Sequence, residues 1–150
     1  MAMTNEEIEG LLQKDGVCTV TLNGKDGYPV PVPLGFAYEG GKIYVMATPY
    51  RKSLIARDPR VTVNVFADTL GDACWVSIRG KASVTTERGR ERVRELHIHS
   101  GLSLAETDRW LELIQDPEPE LLEITTDYMK SWKMTAPDFV RRAPVSSWFS

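Results

Sequence analysis

A chain of 150 residues with 18 lysines and arginines against 21 aspartates and glutamates has a formal net charge of −3. Its isoelectric point near 5.4 argues against a general nucleic-acid binder, which needs a basic surplus or stripe. The length supports one respectable core and is most economically a single domain over 1–150. The start, MAMTNEE, has neither the basic region nor the apolar run of a secretory signal, and no later segment is apolar for long enough to span a membrane, so the chain reads as cytoplasmic with no membrane partner.

Thr4 and Glu7 have capping-box spacing ahead of Ile8, Leu11 and Leu12, and Gly16 ends that helix. Val17–Asn23 alternates, with Cys18, Val20 and Leu22 on one face, and Gly24-Lys25-Asp26-Gly27 turns the chain into a strand from Tyr28 to Tyr38. Glu39-Gly40-Gly41-Lys42 is the next turn and Ile43–Ala47 the third strand. Thr48 then caps a short helix with Pro49 in its first turn, closing where Asp58 meets Pro59.

Val61–Ala67 is a β-branched fourth strand, and Asp68 to Asp72 a loop. In the fifth strand Cys74, Val76, Ile78, Ala82 and Val84 share one face, while Trp75, Ser77, Arg79, Lys81 and Ser83 share the other. Thr86–His99 reads as a helix, and Ser103 with Glu106 caps another ahead of Leu104, Trp110, Leu111 and Ile114. Asp116-Pro117-Glu118-Pro119 breaks it, Tyr128–Met134 is a last strand, and Pro137–Ser150 an irregular tail. The pattern predicts a mainly β fold with flanking helices: a six-stranded barrel, closed or nearly so.

Cys18 and Cys74 fall on apolar strand phases in no C-x-x-C pattern, which fits buried reduced thiols. His97 and His99 would point to different faces of a helix, and no carboxylate stands at ligand spacing, so no metal site is expected. The sequence also lacks a G-x-S-x-G elbow, an H-E-x-x-H helix and a phosphate loop, leaving hydrolase and nucleotidase chemistry without support.

Two features remain to be explained. Arg51 and Lys52 sit at the start of the short helix, where unpaired N–H groups already carry partial positive charge and each cation should cost about 0.3 to 1 kcal/mol. They are either simply solvated or there to hold an anion, and a phosphate would engage both the side chains and the backbone. The strand "VPVPLGFAY" carries Val, Val, Leu, Phe and Tyr on one face and only Pro, Pro, Gly and Ala on the other. Such a proline-bearing strand belongs at a sheet edge or opening; its flat face either blocks edge-to-edge pairing or accepts a planar ring. Together the two suggest a ligand with a planar ring and a phosphate.

The stretch "GYPVPVPLGFAYEGGKIYVMATPYRKSLIARDPRVTVNV" resembles the flavin-binding split barrels related to pyridoxamine 5'-phosphate oxidase, and the likeness runs from about Thr4 to Met134. It rests on a D-G turn, a P-x-P strand, a second hairpin, an Arg-Lys pair, then D-P-R-V and a β-branched strand. The resemblance implies a homodimeric split barrel binding two flavins at the subunit interface. It implies that Arg51 and Lys52 hold the flavin phosphate, with Ser53 or Thr48 adding hydroxyl contacts, and that Val32, Pro33, Leu34 and Gly35 lie along the ring while Ala47 and Thr48 approach its other edge.

Trp132, in the last strand, matches an aromatic residue that the family often places near the flavin. Trp75 stands where the oxidases offer a glutamine to the ring, and Tyr50 where they usually place a serine. The chain ends in "RRAPVSSWFS" and not in the Arg-x-His segment that grips substrate phosphate, so pyridoxamine phosphate is not the expected substrate. No catalytic acid or base is named, because a flavin carries the hydride chemistry itself. The implied function is an FMN-dependent oxidoreductase acting on a small molecule. The alternatives are a reductase using the deazaflavin coenzyme F-420, whose acidic tail would call on cations such as Arg57 and Arg60, and a flavin or haem carrier or stress protein without turnover.

Overall fold

Phe36 divides the second predicted strand in two, and the architecture follows from that break. The protein, a computed structural model, is described over residues 1–14, 16–69 and 72–134. The elements run α1 (Asn5–Lys14), β1 (Val17–Asn23), β2 (Pro29–Gly35), β3 (Ala37–Glu39), β4 (Lys42–Met46), α2 (Pro49–Arg57), β5 (Arg60–Thr69), β6 (Asp72–Thr85), α3 (Gly89–His99), α4 (Leu104–Ile114) and β7 (Leu121–Met134). All pairings are antiparallel, in the order β2-β1-β5-β6-β7-β4-β3. β2 and β3 follow one another in the chain yet lie at opposite ends of that order. The sheet must therefore curl until its two edges approach, which makes a split barrel of seven strands and not six.

The break has a local cause. The Phe36 N–H donates to the Gly16 carbonyl at 3.3 Å, and the Phe36 carbonyl oxygen lies 2.6 Å from His99 Nδ1, so both backbone groups are satisfied outside the ladder. Nε2 of the same imidazole lies 2.8 Å from the Gln13 carbonyl, tying the end of α3 to α1. The Phe36 ring is fully buried and meets the His99 ring edge-on at 4.9 Å.

As the prolines require, β2 is an edge strand: β1 is its one ladder partner, with Pro31 opposite Thr21 and Pro33 opposite Thr19. Pro29, Pro31 and Pro33 are two apart, so the donors they remove belong to one side of the strand, the side facing away from β1.

Three other boundaries differ from the sequence reading. The last strand begins at Leu121, not Tyr128, because Leu121, Leu122 and Ile124 are fully buried where β7 inserts between β4 and β6. α3 begins at Gly89, not Thr86, after a turn closed by the Gly89 N–H on the Thr86 carbonyl, with Arg88 left-handed at φ +52. The Asp68–Asp72 loop is mostly ladder, since Asp68 pairs with Ala73 and Thr69 with Asp72. The tail from Pro137 to Ser150 lies outside the described residues.

The barrel interior holds Val20, Leu22, Val45, Val63, Val65, Val76, Ile78 and Leu122, with Leu12 of α1 and Leu54 of α2 packed into the same cluster. Each such side chain contributes about 1.5 to 3 kcal/mol through burial. Cys18 is also in this core, and burial pushes its thiol up to about 12, so it is inert packing. A second cluster of Tyr44, Val93, Leu96, Leu111 and Leu121 holds α3 and α4 against the outside of β4 and β7. Arg92 is buried there with its guanidinium 3.8 Å from the Tyr44 ring centre and paired with Glu39 at 3.2 Å.

The start of α1 is tied to β7 by Lys133, whose Nζ donates to both carboxylate oxygens of Glu7 at 2.8 and 2.7 Å. Those bonds, with the capping-box bond from the Thr4 N–H, hold the Glu7 carboxyl down to about 2. A carboxyl pKa depressed by folding contributes stability that is present above the unfolded value, near 4.5, and lost as pH falls toward about 2. NMR titration of Glu7 is expected to show that low midpoint, and Lys133→Met to return it toward 4.5; an unchanged midpoint in the variant would remove Lys133 as the cause.

Candidate functional site

Local chemistry builds the start of α2. Thr48 is its N-cap, with φ −130 and ψ 160, and its Oγ1 accepts from the Arg51 N–H at 3.2 Å. The Lys52 N–H reaches the Thr48 carbonyl at 2.9 Å, and Pro49 has no N–H to offer. The Tyr50 N–H is left open in this first turn among the described residues. An anion here would meet that N–H, the Thr48 hydroxyl hydrogen and two cations.

Both cations already have protein partners. Arg51 is half-buried, and its Nη1 donates to the Met46 carbonyl at 2.9 Å; burial pulls its pKa down without removing its charge. Lys52 Nζ pairs with Glu120 Oε2 at 2.6 Å. These contacts answer part of the electrostatic puzzle, since one charge is met by a carbonyl and the other by a carboxylate. Ser53 is less available than the resemblance implies, because its hydroxyl donates to the Tyr50 carbonyl at 2.6 Å.

Beside this turn opens a cleft of about 300 Å³ lined by Met46, Ala47, Pro49, Lys52, Trp110 and Glu120, among others. That is the low end for ligand pockets, so a flavin-sized molecule would need a further wall. Trp110 and Glu120 are the residues the sequence reading missed here. Neither carries a local signal: Trp110 reads as the apolar face of a helix, and Glu120 meets Lys52 only after β7 has paired with β4. A larger cleft, about 400 Å³, is lined by Tyr38, Glu39, Glu95 and His99, and its carboxylates have the wrong sign for a phosphate.

β2, which carries Val32 and Pro33, approaches β4 across the barrel seam. Leu34 packs against the core. Gly35 has a packing role of its own: a Cβ there would come within 2.3 Å of Ser100 Oγ, so the missing side chain admits the end of α3.

Trp75 and Trp132 are brought together, directly opposite one another on β6 and β7, with Phe66 opposite Trp75 on β5. Their neighbours Val65 and Val76 point into the barrel, so this aromatic row lies on the outer surface, where Phe66 is 56% exposed. Trp132 is roughly 35 Å of strand from Leu121, the β7 residue beside Met46, and neither tryptophan lines the α2 cleft.

The cations that a longer acidic cofactor would want are engaged elsewhere. Arg57 donates to the carbonyls of Lys25, Asn23 and Gly24 and so closes the β1–β2 turn. Arg60 makes a two-point pair with Asp58 at 3.0 and 2.8 Å. Among the described residues no cluster of three or more His, Cys, Asp and Glu could hold a metal ion, and no helix is long and apolar enough to cross a membrane.

A curled antiparallel sheet with helices packed against its outside is a split barrel. The chain belongs to the pyridoxamine 5'-phosphate oxidase family, whose profile matches residues 4–133. No curated protein matches it significantly. Among solved structures it is similar to a conserved hypothetical protein from Mycobacterium tuberculosis, with TM-score 0.72 and 21% identity over 88% of this chain and 86% of that one. It is also similar to an FAD-binding protein from Mesorhizobium loti, with TM-score 0.65 and 20% identity over 89% and 94%. A third likeness is to General Stress Protein 26 from Bacillus anthracis, with TM-score 0.63 and 20% identity over 86% and 92%. At these identities the three structures establish the shared fold.

Proposed function

We propose that the protein is an FMN-dependent oxidoreductase acting as a homodimer on a small molecule. The observation that carries this reading is the first turn of α2, where Arg51, Lys52, the Thr48 hydroxyl and the Tyr50 N–H lie within one turn of helix, beside a cleft that Lys52 lines. A flavin phosphate there takes two charge-assisted bonds, each worth about 1.5 to 3 kcal/mol, which outweighs the dipole penalty on each cation. Lys52 exchanges Glu120 for the phosphate, while Arg51 keeps its fork partly on the Met46 carbonyl. Val32 and Pro33 offer the ring a surface at the seam, with Ala47 at its other edge.

The 300 Å³ cleft lacks an outer wall, and the row Phe66, Trp75 and Trp132 is an aromatic surface without a cover among the described residues. A second copy supplies each with what it lacks: its tryptophans close over the ring, exclude water and leave one ring face for substrate. The bound flavin supplies the hydride chemistry. The M. loti structure, an FAD-binding protein on the same fold, supports a flavin as the class of ligand.

Purified protein titrated with FMN and with the deazaflavin coenzyme is expected to prefer FMN, with absorption bands near about 370 and 450 nm. Sedimentation should report a dimer, and Trp132→Asp should lose dimer and flavin together. Preference for the deazaflavin, or binding of neither, would overturn the FMN reading; a monomer that retains FMN would overturn the shared site.

A further inference from the structure

A second cationic cleft lies on the outer surface of the sheet, away from α2's first turn. β7 carries one residue more than β6 where they cross: Arg79 pairs with Tyr128 and Gly80 with Thr126, which leaves Asp127 as a bulge. Bulges bend a strand and re-aim its side chains. Here the irregularity borders a cleft of about 390 Å³ lined by Arg60, Arg79 and Lys81, with Thr21, Thr62 and Asp127 also on its wall.

The charges are available. Lys81 has no ion-pair partner among the described residues, and the Arg79 guanidinium carbon lies over the Tyr128 ring, 5.5 Å from its centre. Asp127 lines the same cleft but forms no ion pair with either. Arg60 is neutralised by Asp58, which leaves two cations against one carboxylate in a chain of net charge −3. Two threonine hydroxyls on the wall can donate to an anion. Arg60 follows the C-terminal end of α2, about 13 Å of helix from its first turn, so a phosphate held at Arg51 and Lys52 does not reach this cleft.

We propose that this cleft is a second anion site, which takes the phosphate group of a small phosphorylated molecule. Arg79 and Lys81 hold the phosphate and the threonine hydroxyls orient it. The site stands apart from the flavin reading and does not require it.

The test is NMR titration of the full chain with inorganic phosphate and, separately, with adenosine monophosphate, using adenosine as the uncharged control. Both anions are expected to shift the amides of Thr62, Arg79, Gly80 and Lys81, and adenosine to leave them in place. Tighter binding of the nucleotide would identify an organic phosphate as the ligand, and equal binding the phosphate group itself. Arg79→Gln with Lys81→Gln should weaken the interaction by about tenfold or more, with the melting temperature and flavin affinity kept. Shifts confined to Tyr50, Arg51 and Lys52, shifts with adenosine alone, or no shift with either anion would overturn the proposal from the unmodified protein, whatever the variant does.

Discussion

Exchanging Arg51 and Lys52 together for glutamine is expected to lower FMN affinity by about a hundredfold or more, the loss of two charge-assisted bonds. Glutamine is the better replacement because a glutamate at position 52 would face Glu120, the present partner of Lys52 at 2.6 Å, and add a repulsion unrelated to phosphate. Arg51 also donates to the Met46 carbonyl, so the double variant should lose about 1 kcal/mol of stability besides. The companion variant reverses the sign. Glu120→Gln releases Lys52 and should tighten FMN binding, which no structural loss would do. Fluorescence titration reads both; unchanged affinity in the first variant would return the cation pair to a purely structural role.

The second large effect is on stability. A Cβ placed on Gly80 would lie 1.8 Å from the Thr125 carbonyl oxygen, and that oxygen is backbone of the neighbouring strand, so no rotamer change can relieve the clash. Gly80→Ala must push β6 and β7 apart at the bulge, and a loss of about 3 kcal/mol or more is expected. Gly10 gives the opposite sign. It lies inside α1 with nothing within 4 Å of its added Cβ, so Gly10→Ala should gain about 0.5 to 1 kcal/mol. Urea unfolding of the pair checks both; a tolerated alanine at 80 would mean that β6 and β7 separate there at little cost.

What the sequence disclosed and what it withheld divide by range. The α2 caps were legible because Thr48-Pro49 and Asp58-Pro59 act on their own neighbours, and burial follows the alternation read in β1 and, at Val76, Ile78 and Ala82, in β6, while Val84 is exposed. The edge placement of β2 followed from Pro31 and Pro33 and needed no partner. The break at Phe36 was missed although Gly35 stands beside it, because a lone glycine does not say where the chain turns; that depends on Gly16 and His99, which come from elsewhere in the chain. The first half of β7 was missed because its buried leucines gain their meaning from β4 and β6. At the site, the cations were readable as an anomaly, but Lys52 meeting Glu120 and Trp75 facing Trp132 are products of the closed sheet.

The position of β7 governs the order in which the molecule can assemble. The β3–β4 hairpin joins the rest of the sheet only through β7, because β4 pairs with β3 on one side and β7 on the other. During synthesis residues 1–120 therefore emerge as two incomplete halves, with the free borders of β4 and β6 both waiting for β7. Until it arrives, each border is a template for a wrong partner, including another nascent chain on the same messenger. Closure brings together segments distant in sequence, so folding should be slow for a chain of this size and finish in one late step. A chain truncated before Leu121 is expected to aggregate, not to form a smaller barrel.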